Sequence, residues 1–163
     1  MKSISLNFQQ SHDIDWFACV DNIYVHAMSF GGALPDAIND WDLLRRMIVS
    51  AYHLEVLNED DNQLSYNDAY INSRLSVQFD NEQANQDQRF DIRNRYLRHF
   101  REMARLGFYS FDRSLEDEYV YYLVVKPSRP LENWKILLKD TEWPRLEIIY
   151  NDSDLFNGFR IVR

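Results

Sequence analysis

Cysteine, glycine and proline are all scarce in this chain, and each scarcity removes a class of explanation. The single cysteine, Cys19, excludes an intramolecular disulfide and any cysteine-based zinc site. It is flanked by Ala18 and Val20 with no neighbouring cation to hold a thiolate, so it reads as a small buried hydrophobe. Only four glycines and four prolines are spread over 163 residues, which argues against linkers and low-complexity tails. No internal repeat is present. No apolar run approaches the ~20 residues that span a bilayer. The opening Met1-Lys2-Ser3-Ile4-Ser5-Leu6-Asn7 also lacks the apolar stretch of a secretory signal. A cytoplasmic protein with no membrane partner is the expectation.

What the chain does have is apolar mass. Hydrophobic residues make up 45% of it, with ten Phe, ten Tyr and four Trp. A chain of this length buries roughly 70% of its unfolded surface, enough for a core without staples, so residues 1–163 are expected to form one domain. The net charge is −8 and uneven: residues 1–88 hold 14 acidic and four basic side chains, residues 89–163 hold 12 and 14. An acidic whole repels phosphate-rich surfaces, so nucleic acid is not the expected partner.

Apolar spacing sets the expected elements. Phe17–Val20 and Ile23–Ala27 flank Asp21-Asn22 and read as a hairpin. Gly31-Gly32 breaks the second strand. Pro35 opens a helix whose stripe of Leu34, Ile38, Trp41, Leu44, Ile48 and Ala51 runs to about residue 57, with Asp36, Asp40 and Asp42 near its positive end. Asn58–Asn62 is a turn. Ile71–Phe79, apolar at 71, 75, 77 and 79, reads as a half-buried strand, and the polar stretch 80–88 as the entry to a second helix.

That second helix carries Phe90, Tyr96, Leu97, Phe100, Met103 and Ala104 on its apolar face and stops at Gly107. Arg98, Arg101 and Arg105 fall opposite, with Glu102 in reach of Arg98 and Arg105, as a solvated surface rather than a phosphate track. Arg89 and Arg93 project toward the apolar stripe, so either the helix starts after them or they enter a groove. Segments 108–113, 119–125, 134–138, 146–150 and 159–162 read as strands, and the short gaps among the later ones favour antiparallel pairing. The expected class is α+β: an antiparallel-rich sheet with two main helices packed on one face.

Candidate chemistry gathers in two places. His26 and Ser29 end a strand just before the glycine pair, where a histidine base and a hydroxyl can serve catalysis. Asp112 and Arg113, among the aromatics of Gly107–Arg113, can orient a polar ligand. If both places line one pocket, His26, Ser29, Asp112 and Arg113 form a small enzyme site. The plainer account is a hydrogen-bonded core histidine, a turn-forming glycine pair and a salt-bridged strand end. His12, Asp13 and Asp15, His53 with Glu55, and Glu116-Asp117-Glu118 show no established ligand spacing, so no metal and no cofactor is expected.

The stretches Val25–Pro35, Gly107–Arg113 and Tyr122–Pro127 resemble a group of small uncharacterised bacterial α+β proteins over roughly residues 16–127. In size, charge and architecture the chain is also similar to the acidic immunity proteins that neutralise bacterial toxins. That second resemblance implies a noncatalytic domain binding a basic protein. Asp40, Asp42, Glu59, Asp60 and Asp61 are the candidate partner-binding residues on the acidic half.

Overall fold

The computed structural model describes residues 2–20, 23–54, 63–131, 144, 146–150 and 158–162. The expected strand 134–138, the turn 58–62 and the acids Glu59, Asp60 and Asp61 lie outside the described residues. Among those described, four helices and seven strands build an α+β fold on one mixed, curled sheet.

The chain opens with a short helix, α1 (Leu6–Ser11), capped by the Ser5 hydroxyl, which accepts from the Phe8 N–H. β1 (Asp15–Val20) and β2 (Ile23–Met28) then pair antiparallel with Val20 opposite Ile23, as a hairpin with two residues between the strands. Ser29 to Gly32 closes a turn in which Gly31 has a φ of +68°. Gly32 lies so close to the Arg113 guanidinium that a Cβ would meet its Nη1 at 2.1 Å. Pro35 begins only a single helical turn. The helix proper, α2 (Trp41–Tyr52), waits for Asp40, whose carboxylate accepts from the Leu43 N–H at 2.8 Å.

β3 (Leu64–Tyr66), like α1 an element that apolar spacing does not mark, leads to a stretch whose type is the reverse of the expected one and which makes a third long helix beside the two expected. Residues 71–79 are not a strand but the middle of helix α3 (Asp68–Asn81). The apolar positions 71, 75, 77 and 79 mix two periods, and the cap decides between them: the Asn67 side chain accepts from the Tyr70 N–H at 3.1 Å. Ile71 and Leu75, four apart, are then buried together, while Val77 is left 63% exposed.

Helix α4 (Gln86–Arg105) also begins earlier than the apolar stripe suggests, because Asn85 and Gln88 form a reciprocal capping box. Phe90 is consequently exposed and Ile92 takes the buried place. Arg89 and Arg93 therefore lie within the helix and enter the groove between α3 and α4. Arg89 donates to the Ala84 carbonyl and stacks over Phe79, and Arg93 pairs with Asp68.

Gly107, with a φ of +99°, turns the chain into β4 (Tyr109–Arg113). β5 (Val120–Pro127), β6 (Ile148–Tyr150) and β7 (Phe159–Ile161) complete the sheet in the order β1-β2-β4-β5-β7-β6, with β3 also on β5. Pairing is antiparallel except between β2 and β4, which the intervening helices connect as a parallel crossover. The sheet curls until its edges approach: Cys19 on β1 donates to the Pro144 carbonyl, and a few residues later β6 pairs with β7.

Inside the curl, Trp16 meets Tyr121 edge-on at 5.2 Å, Tyr121 stacks on Phe159, and Phe159 meets Phe111. A second cluster joins Ile71 and Leu75 of α3 and Leu97, Phe100 and Ala104 of α4 to Val124 and Val125. Tyr52, at the end of α2, lies in the field of Asp15 and of Glu102 on α4, and burial together with those charges raises its hydroxyl pKa. No helix of the described residues is long and apolar enough to cross a membrane.

The assignment of α3 makes a direct prediction. Leu75→Ala removes a buried side chain and should cost about 2–5 kcal/mol in chemical denaturation. Val77→Ala should stay within about 0.5 kcal/mol. A strand would place both residues on one face and give them similar costs.

Candidate functional site

Two carboxylates on the sheet organise the polar interior. Asp112 on β4 is buried, and its Oδ2 accepts from the Tyr96 hydroxyl at 2.7 Å, the Arg74 Nε at 3.0 Å and the Tyr70 hydroxyl at 3.3 Å. Helix α3 contributes Tyr70 and Arg74, one turn apart on the face that meets the sheet, and α4 contributes Tyr96. Burial pushes the Asp112 carboxyl up, against the opposing pull of Arg74 and these hydrogen bonds. Burial works to lower the Arg74 pKa, but the adjoining carboxylate outweighs it and keeps the guanidinium charged. Burial raises both tyrosines, so their hydroxyls stay protonated donors.

The second carboxylate is Asp15, at the start of β1. Its Oδ1 lies 3.1 Å from His26 Nε2 and its Oδ2 lies 3.0 Å from His99 Nε2. The other ring nitrogen of each histidine is also held: His26 Nδ1 is 3.3 Å from Ser110 Oγ, and His99 Nδ1 is 3.3 Å from Glu102 Oε2. Burial would raise the Asp15 carboxyl, but the two histidines overcome it and hold it well below the usual carboxylate range. Burial pushes His26 down, whereas the hydrogen bond to Asp15 pushes His99 up despite partial burial. Among the described residues, Asp15, His26 and His99 are the set of His, Cys, Asp and Glu close enough to share one ion, their ligand atoms lying within 4.8 Å of one another.

Between α3, α4 and the ends of β2 and β4 lies a cleft of about 740 Å³. Arg74, Tyr96, His99 and Asp112 line its polar side, and Phe30, Val77 and Leu115 line its apolar side. Phe30 has a φ of +44°, unusual for a bulky residue. It is held there by three contacts: its N–H donates to Asp13 Oδ1 at 2.7 Å, its carbonyl accepts from Arg113, and Arg74 stacks on its ring at 4.2 Å.

The structure brings some of the sequence candidates together and separates others. In the parallel β2–β4 register His26 stands opposite Ser110 and Met28 opposite Asp112, so His26 and Asp112 share a sheet face two positions apart. Ser29 does not face His26. It is fully buried, and its hydroxyl accepts from the Ile14 N–H at 2.9 Å while its own N–H donates to the Ile14 carbonyl. Arg113 follows Asp112 on the strand and reaches the Phe30 carbonyl, away from the Asp112 cluster. Asp40 is spent as the α2 cap, and Asp42 is exposed in the first turn of that helix.

Spacing does not mark Ser110, His99, Tyr70, Arg74 or Tyr96 as site residues, and it sets Asp15 beside His12 and Asp13 rather than with its actual partners His26 and His99. They come from four elements, β1, β4, α3 and α4, and the strand reading of 71–79 hides the α3 pair, Tyr70 and Arg74. Neither a family model, a curated protein nor a solved structure matches the chain.

Outside the cleft, α2 carries an unusual surface. Trp41, Ile48 and Tyr52 fall on one stripe at helical spacing, with Val49 beside it. Trp41 is 38%, Val49 48% and Tyr52 57% exposed. Trp41, Ile48 and Val49 line a groove of about 640 Å³ with Asp42, Lys2 and Arg45.

The Asp112 cluster yields a stability prediction with a defined sign. A carboxyl whose folded pKa is raised above its unfolded value contributes most below that unfolded value, 3.8, and loses the contribution as pH rises through the folded value. Removing Arg74 raises the folded value further. Arg74→Met should therefore cost about 3–5 kcal/mol at neutral pH, by stranding a buried charge, and distinctly less near pH 4. Arg160→Met, which breaks the exposed pair with Asp117, should cost at most about 1 kcal/mol at either pH.

Proposed function

We propose that this chain is a noncatalytic protein-interaction domain of the immunity type, which binds a basic protein through its acidic N-terminal half. The observation that carries this reading is the contrast between the interior and the surface of α2. The two interior carboxylates are engaged with side chains of the chain itself: Asp112 with Arg74, Tyr70 and Tyr96, and Asp15 with both histidines. A catalytic constellation needs a nucleophile beside a base and a donor set aimed at the substrate. His26 is fully buried and the hydroxyl of Ser29 accepts a backbone hydrogen bond.

On α2 the situation is reversed. A tryptophan, a valine and a tyrosine stand exposed on one side of the helix, with Asp40 and Asp42 at its N-terminal end and Lys2 and Arg45 in the same groove. An apolar stripe with an aromatic anchor supplies the contact area that holds a complex, and charge beside it steers the encounter. The excess of acidic over basic side chains in residues 1–88, 14 against four, fits a basic partner. Glu59, Asp60 and Asp61 extend the same charge along the sequence.

The test is association kinetics with the partner that the chain captures. Reversing Asp36, Asp42, Glu59, Asp60 and Asp61 to lysine, with Asp40→Asn to keep the cap, should slow association at least about tenfold at low salt and flatten its salt dependence. Trp41→Ala should speed dissociation, with a loss of 2 kcal/mol or more expected on the order of a hot-spot aromatic. Unchanged rates in both variants would reject the α2 surface.

A further inference from the structure

We propose that Asp15, His26 and His99 form a binding site for a single zinc-class divalent metal ion, which clamps helix α4 to strands β1 and β2. This goes beyond the interaction reading and does not depend on it.

The donor set has the right chemistry. Two imidazoles and one carboxylate are ligands that zinc takes with nitrogen and oxygen at about 2.0–2.2 Å. The three groups come from three elements and converge: both histidines present Nε2 to the two oxygens of Asp15, at 3.1 and 3.0 Å. Ligands bound at those lengths in tetrahedral geometry stand roughly 3.3 Å from one another; each histidine already stands about that far from an Asp15 oxygen, and the set, within 4.8 Å, closes on the ion by drawing in around one oxygen.

The surroundings strengthen the assignment. A metal-binding histidine characteristically offers its other ring nitrogen to a carboxylate, carbonyl or hydroxyl, which fixes the ring and the tautomer. Both histidines do this, His26 toward the Ser110 hydroxyl and His99 toward the Glu102 carboxylate. His99 stands between the carboxylates of Asp15 and Glu102 at its two ring nitrogens, 3.0 and 3.3 Å away. His26 is fully buried, with Phe17 and Phe100 around its ring, so its orientation is fixed by packing before any ion arrives. The side chains of Asp15 and His99 keep 30% and 23% exposure, which leaves an entry path.

The ion would join positions 15, 26 and 99, and so tie α4 to the hairpin, its stabilisation adding to that of the folded state. The role is structural. The remaining coordination position is left for water, and no reaction is assigned to it.

The experiment uses the full chain stripped of metal with a chelator. Zinc is titrated in competition with a chromophoric chelator, cobalt is titrated as a spectroscopic reporter, and melting temperature is followed with and without zinc. The expected result is one zinc per chain, a cobalt spectrum of low coordination number, and a melting temperature that rises with zinc concentration. His99→Gln should abolish all three. Glu102→Ala, an exposed change one shell out, should weaken zinc about tenfold or more. His53→Gln, whose ring bonds the Val49 carbonyl far along α2, should change nothing. Circular dichroism of the variants checks the fold, and the wild-type titration decides the matter if His99→Gln does not fold. No stoichiometric zinc on the wild-type chain, or zinc binding that His99→Gln and Glu102→Ala leave intact, would overturn the proposal.

Discussion

The fold depends on two carboxylates that point out of the sheet toward the helices. Asp112 and Asp15 sit on β4 and β1, and between them they engage Tyr70, Arg74, Tyr96 and His99 from α3 and α4, together with His26 from β2. Apolar contact alone fixes how deep a helix sits on a sheet but leaves it some freedom to slide and turn. Directional bonds to a fixed acceptor remove that freedom, and a low-dielectric setting makes an unsatisfied partner costly. The second cluster of buried apolar residues supplies the adhesion, and the carboxylates supply the register. The cleft is the gap that this arrangement leaves between α3, α4 and the strand ends.

Spending polar groups in this way has a functional consequence. The same residue types that suggest catalysis in a list, namely histidine, aspartate, arginine and tyrosine, are here each other's partners. Among the described residues, the outside offers another molecule the aromatic and aliphatic stripe of α2, and the sequence adds the acidic excess of the N-terminal half. A domain of this kind is suited to recognition by shape and charge. Strain at Phe30, held in a left-handed conformation by Asp13, Arg113 and Arg74, marks the cleft as a place where the chain is over-determined.

The parts of the fold legible in the sequence were those governed by local rules. The hairpin is readable from two β-compatible runs separated by only Asp-Asn, β5 from an unbroken apolar run, and the end of α4 from Gly107. Helix α3 was misread because Leu75, Val77 and Phe79 imitate a period of two, and because Asn67, whose cap starts the helix, lies outside that window. Arg89 and Arg93 were ambiguous for a related reason: the groove that receives them exists only once α3 is a helix beside α4. The Asp15–His26–His99 set was beyond local reading, since positions 15 and 99 lie 84 residues apart and meet only through the sheet and α4. Asp112 was visible as a candidate but its partners were not, because two of the three lie on α3.

A chain that works by binding a basic protein, as proposed above, should carry that protein with it out of the cell. The most direct measurement is affinity capture of the tagged full-length chain from its cell of origin, with nuclease treatment, salt elution and mass-spectrometric mapping of cross-links. The expected result is one near-stoichiometric basic protein, resistant to nuclease and released by salt, with cross-links clustered on α2 and the acidic N-terminal half. A partner that is acidic, that departs with nuclease, or that cross-links only to the face opposite α2 would contradict it.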